Sequence, residues 1–134
     1  MLKEFEIATS KSQELIDITE KVKKIVKDSE IKEGICLVYT PHATAGILIN
    51  ENYDTFVCED ITKKLNDIIP LHDGYKHDKI DNNAHAHIKA ALIGPSETII
   101  IKDAELLLGT WQGIGFLELD GPRKRKVFVK IIKG

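Results

Sequence analysis

The chain has 134 residues, a length that ordinarily forms one domain, and we expect a single domain over residues 1–134. Hydrophobic residues make up 43% and charged residues 30%, which is typical of folded proteins and excludes a disordered chain. A net charge of −2 gives no general attraction to nucleic acid or membranes, so neither is a predicted partner. Short apolar runs and a polar N-terminus predict a cytoplasmic protein without a membrane span.

The first elements are predicted from apolar spacing. Alternation over Leu2–Ala8 predicts a strand, and Thr9 or Ser10 is expected to cap the helix that follows. The apolar positions that recur at helical spacing and predict this helix are Leu15, Ile18, Val22, Ile25 and Val26.

The next segment predicts two strands and a second helix. Gly34–Thr40 is a continuous β-rich run, which indicates a strand buried on both faces. Pro41 cannot donate a ladder hydrogen bond, so regular pairing is expected to stop there before a strand at Ala45–Glu51. Apolar spacing over Phe56–Ile68 predicts a helix, which Pro70 ends.

A long polar loop and a short helix follow. The loop, Leu71–Asn83, is of a length that is usually functional in compact domains. Asn83 is expected to cap a helix at Ala84–Ile93 that turns Ala84, Ile88, Ala91 and Leu92 to the core. The remaining predicted strands are Thr98–Lys102, Glu105–Gly109, Gly113–Asp120 and Lys126–Lys133. This order predicts an α+β fold with a largely antiparallel sheet.

All five histidines lie between residues 42 and 87. Histidine is the commonest metal ligand, so this concentration favours a site, although each imidazole could instead bind backbone groups at an element end. His85 and His87 lie about 200° apart on a helix, so at most one of them is expected to join a given site. Because His85 lies one turn from Lys89, which is expected to face solvent, His87 is favoured.

Two carboxylates precede the only two arginines of the chain. Strand alternation in Gly113–Asp120 places Glu118 and Asp120 on one face, about 7 Å apart. They could bind a metal, pair with Arg123, transfer protons, or form a surface ion pair. In a chain that otherwise uses Lys, Arg123 and Arg125 suggest a task for the planar guanidinium, such as gripping a phosphate with two bonds.

The segment before these carboxylates holds the only tryptophan. Gly113 and Gly115 leave one strand face open to close approach by another backbone or a ligand. We therefore expect Trp111 to be at least partly buried. Of the two arginines, we expect Arg123 to matter more for a phosphorylated ligand, because it lies just past the carboxylate pair.

Five blocks carry a resemblance to a known family: Tyr39–Glu51, Asn83–Lys89, Gly94–Ser96, Leu108–Ile114 and Glu118–Arg125. In this order they resemble the YjbQ family, also called the secondary thiamine-phosphate synthase family, over nearly the whole chain. The resemblance implies a small β-sandwich-like α+β domain that assembles as a homotrimer, which agrees with the two longer helices and one short helix predicted above. It also implies a weak activity that joins a pyrimidine diphosphate to a thiazole phosphate with loss of pyrophosphate.

The resemblance implies a set of site residues as well. The family's metal-site histidines match His42, His77 and His87, whereas His72 and His85 look peculiar to this chain. Within the matching blocks, the candidate catalytic residues are Glu118, Asp120 and Arg123. The candidate substrate-binding residues are Thr44, Asn50, Trp111, Gln112 and Arg125.

Two interpretations from different classes remain open. As an enzyme, the chain would hold a divalent metal with its histidines, a phosphate with Arg123 and Arg125, and a heteroaromatic ring against Trp111. Imidazoles from a strand break, a loop and a helix start would leave one metal position open, which favours zinc over magnesium. Glu118 is expected either to be the fourth ligand or to hydrogen-bond a ligand from outside the metal. As a non-enzymatic trimer, the chain would bind a metal or a phosphorylated metabolite. The helix start before His87 could instead make an anion pocket.

Overall fold

Eight strands form two antiparallel sheets in the computed structural model, which describes residues 1–134. The strands are β1 (Leu2–Ala8), β2 (Glu14–Asp17), β3 (Gly34–Tyr39), β4 (Ala45–Glu51), β5 (Ser96–Lys102), β6 (Glu105–Leu106), β7 (Gln112–Glu118) and β8 (Lys124–Lys133). The helices are α1 (Thr19–Ser29), α2 (Thr55–Ile68) and α3 (Ala84–Ile93), with a 3₁₀ turn at Lys76–Lys79. The predicted α+β class, with two longer helices and one short helix, is confirmed. No helix is long and apolar enough to cross a membrane.

The two sheets pack face to face. The large sheet has the strand order β1-β8-β3-β5-β6 and the small sheet the order β2-β7-β4. The main core lies between them and is closed by Val22 and Val26 of α1. A second, smaller core lies on the other side of the small sheet, where α2 and α3 contribute Leu65, Ala86 and Ala90.

The predicted start of the first helix is wrong. Residues 14–17 form strand β2, where Leu15 pairs with Leu117 of β7, and α1 begins only at Thr19. A short apolar run fits a strand as well as a helix, and here the carboxylate of Asp17 accepts the Thr19 N–H at 2.9 Å and turns the chain. Thr9 therefore caps no helix, and its side chain is buried instead.

The strand buried on both faces is β7, and not β3 as predicted. In β3 only the side facing the other sheet is buried, with Cys36 and Val38, because nothing covers the outer face of the large sheet. By contrast, β7 is buried from Gly113 to Glu118, because it has a core on each side. Side chains of the chain itself fill the space beside its glycines: Asn52 lies against Gly113 and Leu15 against Gly115.

Strand β6 is shorter than the predicted Glu105–Gly109 strand. Asp103 and Ala104 both have positive φ and form a tight turn after β5. Pairing with β5 then lasts for two residues, and the N–H of Leu108 donates to the carbonyl of Leu106 at 3.0 Å, which bends the chain out of the sheet.

A buried ion pair ties β7 to β8, one strand from each sheet. The guanidinium of Arg125 donates from Nη2 to Oε1 of Glu118 and from Nε to Oε2 at 2.8 Å. Thr9 donates its hydroxyl to Oε2 at 2.8 Å, and the N–H of Asp120 donates to Oε1 at 2.9 Å. Burial alone would raise the pKa of Glu118, but these hydrogen bonds outweigh it and hold the pKa below its usual range.

Helix α3 is rotated from the predicted orientation, although Ala84 is buried as predicted. Ala86 and Ala90 face the core, whereas Ile88 and Leu92 are exposed. Because alanine is small, this face lets the helix lie close to the small sheet. The rotation carries two polar side chains inward with the alanines.

The inward polar side chains are His85 and Lys89. Lys89 is fully buried, which contradicts the prediction that it faces solvent. Its ammonium lies 2.8 Å from Nδ1 of His85 and donates to the side-chain carbonyl of Asn66 on α2. Burial lowers the pKa of Lys89 to about 8. It also lowers the pKa of His85, and the charge of Lys89 adds to that effect.

We predict that Glu118→Gln strongly destabilises the fold. The substitution keeps the shape of the side chain but leaves the buried Arg125 charge without a counter-charge, which should cost about 3–5 kcal/mol. Urea denaturation gives the free energy of unfolding. As a control, Asp28→Asn removes a carboxylate from an exposed pair with Lys24 and should change little. Equal, small effects of the two substitutions would contradict the structural role of Glu118.

We predict that burial of Lys89 makes the stability depend on pH. Its pKa is about 8 in the fold and near 10.4 in an unfolded chain, so between these values only the unfolded state is protonated and stability from this group rises with pH. The pKa of Cys36, raised by burial to about 11, has the opposite effect, so the comparison must be with a variant that keeps Cys36. The stability of the wild type relative to Lys89→Met should rise by roughly 2 kcal/mol from pH 8 to pH 10. A constant difference would show that Lys89 carries no burial penalty.

Candidate functional site

The predicted site residues lie at opposite ends of the small sheet. One group, which we call the arginine end, comprises Thr44, Glu118, Asp120, Arg123 and Arg125. The other, the tryptophan end, comprises Asn50, Trp111 and Gln112. In the register of β4 with β7, Ala45 pairs with Glu118 and Asn50 with Gly113. Trp111 and Glu118 are seven residue steps apart along a nearly extended chain, a distance of about 20 Å. One chain therefore cannot place both ends on one small ligand.

The arginine end is held together by Asp120. Its carboxylate Oδ2 accepts from Nη2 of Arg123 at 2.9 Å and from Nδ2 of Asn83 at 2.8 Å. The backbone carbonyl of Asp120 accepts from Nε of Arg123 at 2.7 Å. Of the predicted alternatives for Arg123, pairing with Asp120 is the one formed. Asp120 itself lies past the end of β7, so the expected carboxylate pair on one strand face is wrong.

Asn83 does not cap α3 as predicted. It precedes α3 but makes no side-chain capping bond, because its amide donates to Asp120 instead. Its carbonyl Oδ1 is buried and has no hydrogen-bond partner. A buried acceptor of this kind is available to an N–H or O–H group of a bound molecule.

Thr44 and Arg125 support this end from inside. Nη2 of Arg125 donates to the hydroxyl of Thr44 at 2.9 Å, and both side chains are buried. The outer surface is therefore left to Arg123, whose side chain is 55% exposed. Arg125 and Thr44 have no free surface through which to hold a ligand.

His42, in the connection from β3 to β4, lies beside the start of β8. Its Nε2 accepts the backbone N–H of Lys126 at 2.9 Å, so in the neutral ring the proton is on Nδ1. Partial burial lowers the pKa of His42, and the nearby charge of Arg125 lowers it further. At neutral pH the ring is thus an uncharged N–H donor beside the basic turn.

His77 and His87 are brought together as predicted. Their ring centroids are 5.0 Å apart and the planes are nearly perpendicular, at 88°. Nε2 of His77 is buried without a hydrogen-bond partner, 3.5 Å from the carboxylate of Asp81. Both rings line a cavity of about 400 Å³ together with Tyr75, Lys76, Ala84 and Ile88.

The predicted three-histidine metal centre does not fit one chain. No group of three or more His, Cys, Asp or Glu side chains is positioned to hold a metal ion, so His42 does not join His77 and His87. Of the remaining histidines, His72 lies 3.3 Å from the carboxylate of Asp78, and His85 contacts Lys89. Two imidazoles fall short of the three protein ligands of a catalytic zinc site.

The tryptophan end is exposed, which contradicts the predicted burial of Trp111. Its side chain is 65% exposed because the chain bends out of the sheet between β6 and β7, and its only ring contact is with Tyr53 at 6.4 Å. Asn50 and Gln112 bond to local backbone: Oδ1 of Asn50 accepts the N–H of Glu51, and Oε1 of Gln112 accepts that of Gly109.

Three larger cavities lie away from the histidines. One of about 650 Å³ lies between the end of α1 and the C-terminus and includes Lys133 in its lining. A second, of about 550 Å³, lies between α1 and the β6–β7 connection and includes Gln112. The third, of about 520 Å³, lies between β2 and α2 and includes Asn66, the partner of Lys89. None of the three contains Arg123 or the paired histidines.

Sequence reasoning missed the Lys89–Asn66 contact and the role of Thr9. A usable signal was the spacing of Ala86 and Ala90, since small residues mark the face on which a helix approaches a sheet closely. For Thr9 the sequence held no signal, because its partners lie more than a hundred residues away.

Comparison with known proteins agrees with this fold over the whole chain. Residues 3–134 match the family described as UPF0047 protein YjbQ-like. A UPF0047 protein of Methanocaldococcus jannaschii is 50% identical over 132 residues, covering 98% of this chain and 94% of the relative. The UPF0047 protein YugU of Bacillus subtilis is 41% identical, covering 98% and 99%.

Solved structures show the same fold. An uncharacterized YjbQ/UPF0047 family protein of Clostridium acetobutylicum has a TM-score of 0.94 at 52% identity, covering 97% of this chain and 99% of that one. A protein of unknown function from Sulfolobus solfataricus has a TM-score of 0.97 at 38% identity, covering 100% and 97%. On fold and sequence together, this chain belongs to the YjbQ/UPF0047 family.

Proposed function

We propose that this protein binds a phosphorylated small molecule at the arginine end. The observation that carries the proposal is the state of Arg123: its guanidinium is fixed by Asp120 through Nε and Nη2, and Nη1 makes no hydrogen bond within the chain. The two hydrogen bonds to Asp120 fix the orientation of the Arg123 guanidinium, and the side chain stays exposed. A phosphate oxygen is a suitable partner for the remaining donors.

The charge of the surrounding turn supports an anionic ligand. Residues 121–126 contain four basic residues and no acidic one. Glu118 neutralises Arg125, which leaves Arg123, Lys124 and Lys126 exposed. His42 adds an uncharged N–H donor, and Asn83 Oδ1 a free acceptor. A ligand with phosphate at one end and an N–H or O–H group at the other matches this arrangement.

The reaction class we propose is that of a thiamine-phosphate synthase: a thiazole phosphate displaces pyrophosphate from a pyrimidine diphosphate, in a cytoplasmic homotrimer. Departure of pyrophosphate requires charge stabilisation more than a nucleophilic side chain. Arg123 and His42 would hold the leaving oxygens, and Asp120 would keep Arg123 in place. We assign Glu118 and Arg125 to supporting the turn, because both are buried in their mutual pair.

A second candidate is a non-enzymatic module that binds a phosphorylated metabolite or a metal. It is favoured by the engagement of Glu118, the buried carboxylate of this end, in hydrogen bonds from Arg125, Thr9 and Asp120. With its pKa held low, Glu118 is a poor proton acceptor. The same residues would then hold a ligand without turning it over.

We predict that Arg123→Lys weakens binding of a phosphorylated ligand. The charge is kept but the fork that both holds Asp120 and faces the ligand is lost, so affinity should fall by about 1.5–3 kcal/mol, or tenfold to a hundredfold. Calorimetry with each of the two thiamine precursors measures the dissociation constant, and pyrophosphate release measures turnover.

The control for this experiment is Lys130→Ala, which removes an exposed charge from β8 at a distance from the turn. Binding that weakens without any turnover in the wild type would select the non-enzymatic candidate. Equal affinities of Arg123→Lys and wild type for both precursors would remove the proposal.

We predict that any zinc retained by the protein depends on His77 and His87 but not on His42. The two former rings are in contact, whereas His42 bonds to the backbone of Lys126. Elemental analysis should find less than one zinc per chain in the wild type and in His42→Ala, and none in a His77→Ala, His87→Ala variant. Loss of zinc in His42→Ala would show that the three histidines do converge.

A further inference from the structure

The tryptophan end presents an aromatic surface that nothing in the chain covers. Trp111 is 65% exposed and Tyr53 85%, and Phe56 follows in the first turn of α2 at 71%. The rings of Tyr53 and Trp111 are 6.4 Å apart, and Phe56 lies three residues along the chain from Tyr53. Exposed apolar side chains grouped in this way mark an interaction surface. In one chain this patch lies about 20 Å from the arginine end, along β7.

A concave apolar surface lies beside the arginine end. It is the 400 Å³ cavity lined by His77, His87 and Ile88, and Leu92 extends its apolar wall by one turn along α3. The cavity belongs to the same end of the molecule as Arg123, because Asn83 at the start of α3 bonds to Asp120, which holds Arg123. The arginine end therefore has phosphate donors and a cavity whose own aromatic side chains are Tyr75, His77 and His87, whereas the only tryptophan of the chain lies at the other end.

The charges near the two surfaces are complementary. Residues 51–60, which carry Tyr53 and Phe56, contain four acidic residues and no basic one. Residues 121–126, which carry Arg123, contain four basic residues and no acidic one. Within one chain Glu51 pairs with Gln112, at the opposite end of the small sheet from Arg123, so the attraction between these two ends acts chiefly between two copies.

We propose that the tryptophan end of one copy packs into the α3 cavity of a second copy, so that Trp111 of the first and Arg123 of the second complete one binding site. Each site then takes Trp111 from one subunit and its phosphate donors from the next. The nature of the ligand rests on the proposed function, but the contact itself does not. Because the contact joins two different surfaces, it repeats head to tail and forms a ring when the rotation between neighbouring copies closes.

The single tryptophan makes this contact directly measurable without any ligand. The experiment measures the mass of the wild type by light scattering and the quenching of Trp111 fluorescence by iodide in the same sample. We expect an oligomer in which iodide quenches Trp111 several-fold less than it quenches a free tryptophan derivative. A 15 kDa monomer, or an oligomer whose Trp111 is fully quenched, would overturn the proposal.

Substitutions on the second surface locate the contact. Ile88→Glu, at a position already 41% exposed, should restore full quenching of Trp111 while circular dichroism stays unchanged. Ile100→Glu is the matched control, because Ile100 is an exposed isoleucine on the outer face of the large sheet and should leave Trp111 shielded. Leu92→Glu tests the same wall should Ile88→Glu fail to fold.

The outcomes separate this proposal from the proposed function. Shielding that is lost with Ile100→Glu but kept with Ile88→Glu and Leu92→Glu would overturn the contact, since it would place the interface on the large sheet. Shielding that is lost with the α3 variants supports the contact even where the wild type binds no phosphorylated precursor, and in that case only the proposed function fails.

Discussion

The buried pair of Glu118 and Arg125 is the interaction on which the rest of the arginine end depends. A charge inside a protein is tolerated only when its partners replace the water that it has lost. Here each charge neutralises the other, and Thr9, Thr44 and the backbone of Asp120 fill the remaining hydrogen bonds. The turn from β7 to β8 is thereby fixed on both sides, so Asp120 and Arg123 leave it in a defined direction. The buried ion pair thus determines where the exposed side chains of the site point.

The orientation of α3 shows a similar dependence of surface on interior. Alanines and the Lys89–His85–Asn66 contact occupy the side against the small sheet, and the larger apolar residues Ile88 and Leu92 point outward. Burying a lysine lowers the stability of the fold, and an exposed leucine contributes none of the stability that its burial would give. Both departures become intelligible if the outer side of α3 is itself covered in the assembled protein, as proposed above.

Much of the fold could be predicted from the sequence, because most elements have the periodicity of their kind. Strand β4 and helix α3 occupy the predicted ranges, and the antiparallel arrangement follows from the order of the elements. The exceptions have physical causes. The run from Leu15 to Ile18 is too short for its period to distinguish strand from helix, and the faces of α3 were assigned by hydrophobicity when residue size decided them.

The site was predictable in its residue types but not in its partners. The pairing of Arg123 with Asp120 is local in sequence and was foreseen as one alternative. That Arg125 rather than Arg123 holds Glu118 depends on the register across two sheets, and that Trp111 lies at the far end of β7 depends on strand direction. Long-range geometry of this kind leaves no mark in residue spacing.

The edges of the large sheet carry a consequence for how copies of the chain can meet. At one edge β6 pairs over only two residues, Glu105 and Leu106, and then bends away. At the other edge β1 carries the charged residues Lys3, Glu4 and Glu6. Short and charged edges resist pairing with a foreign strand. Open-ended growth of the sheet is thus discouraged, and association is directed to side-chain surfaces, where shape and charge select the partner and a finite assembly can result.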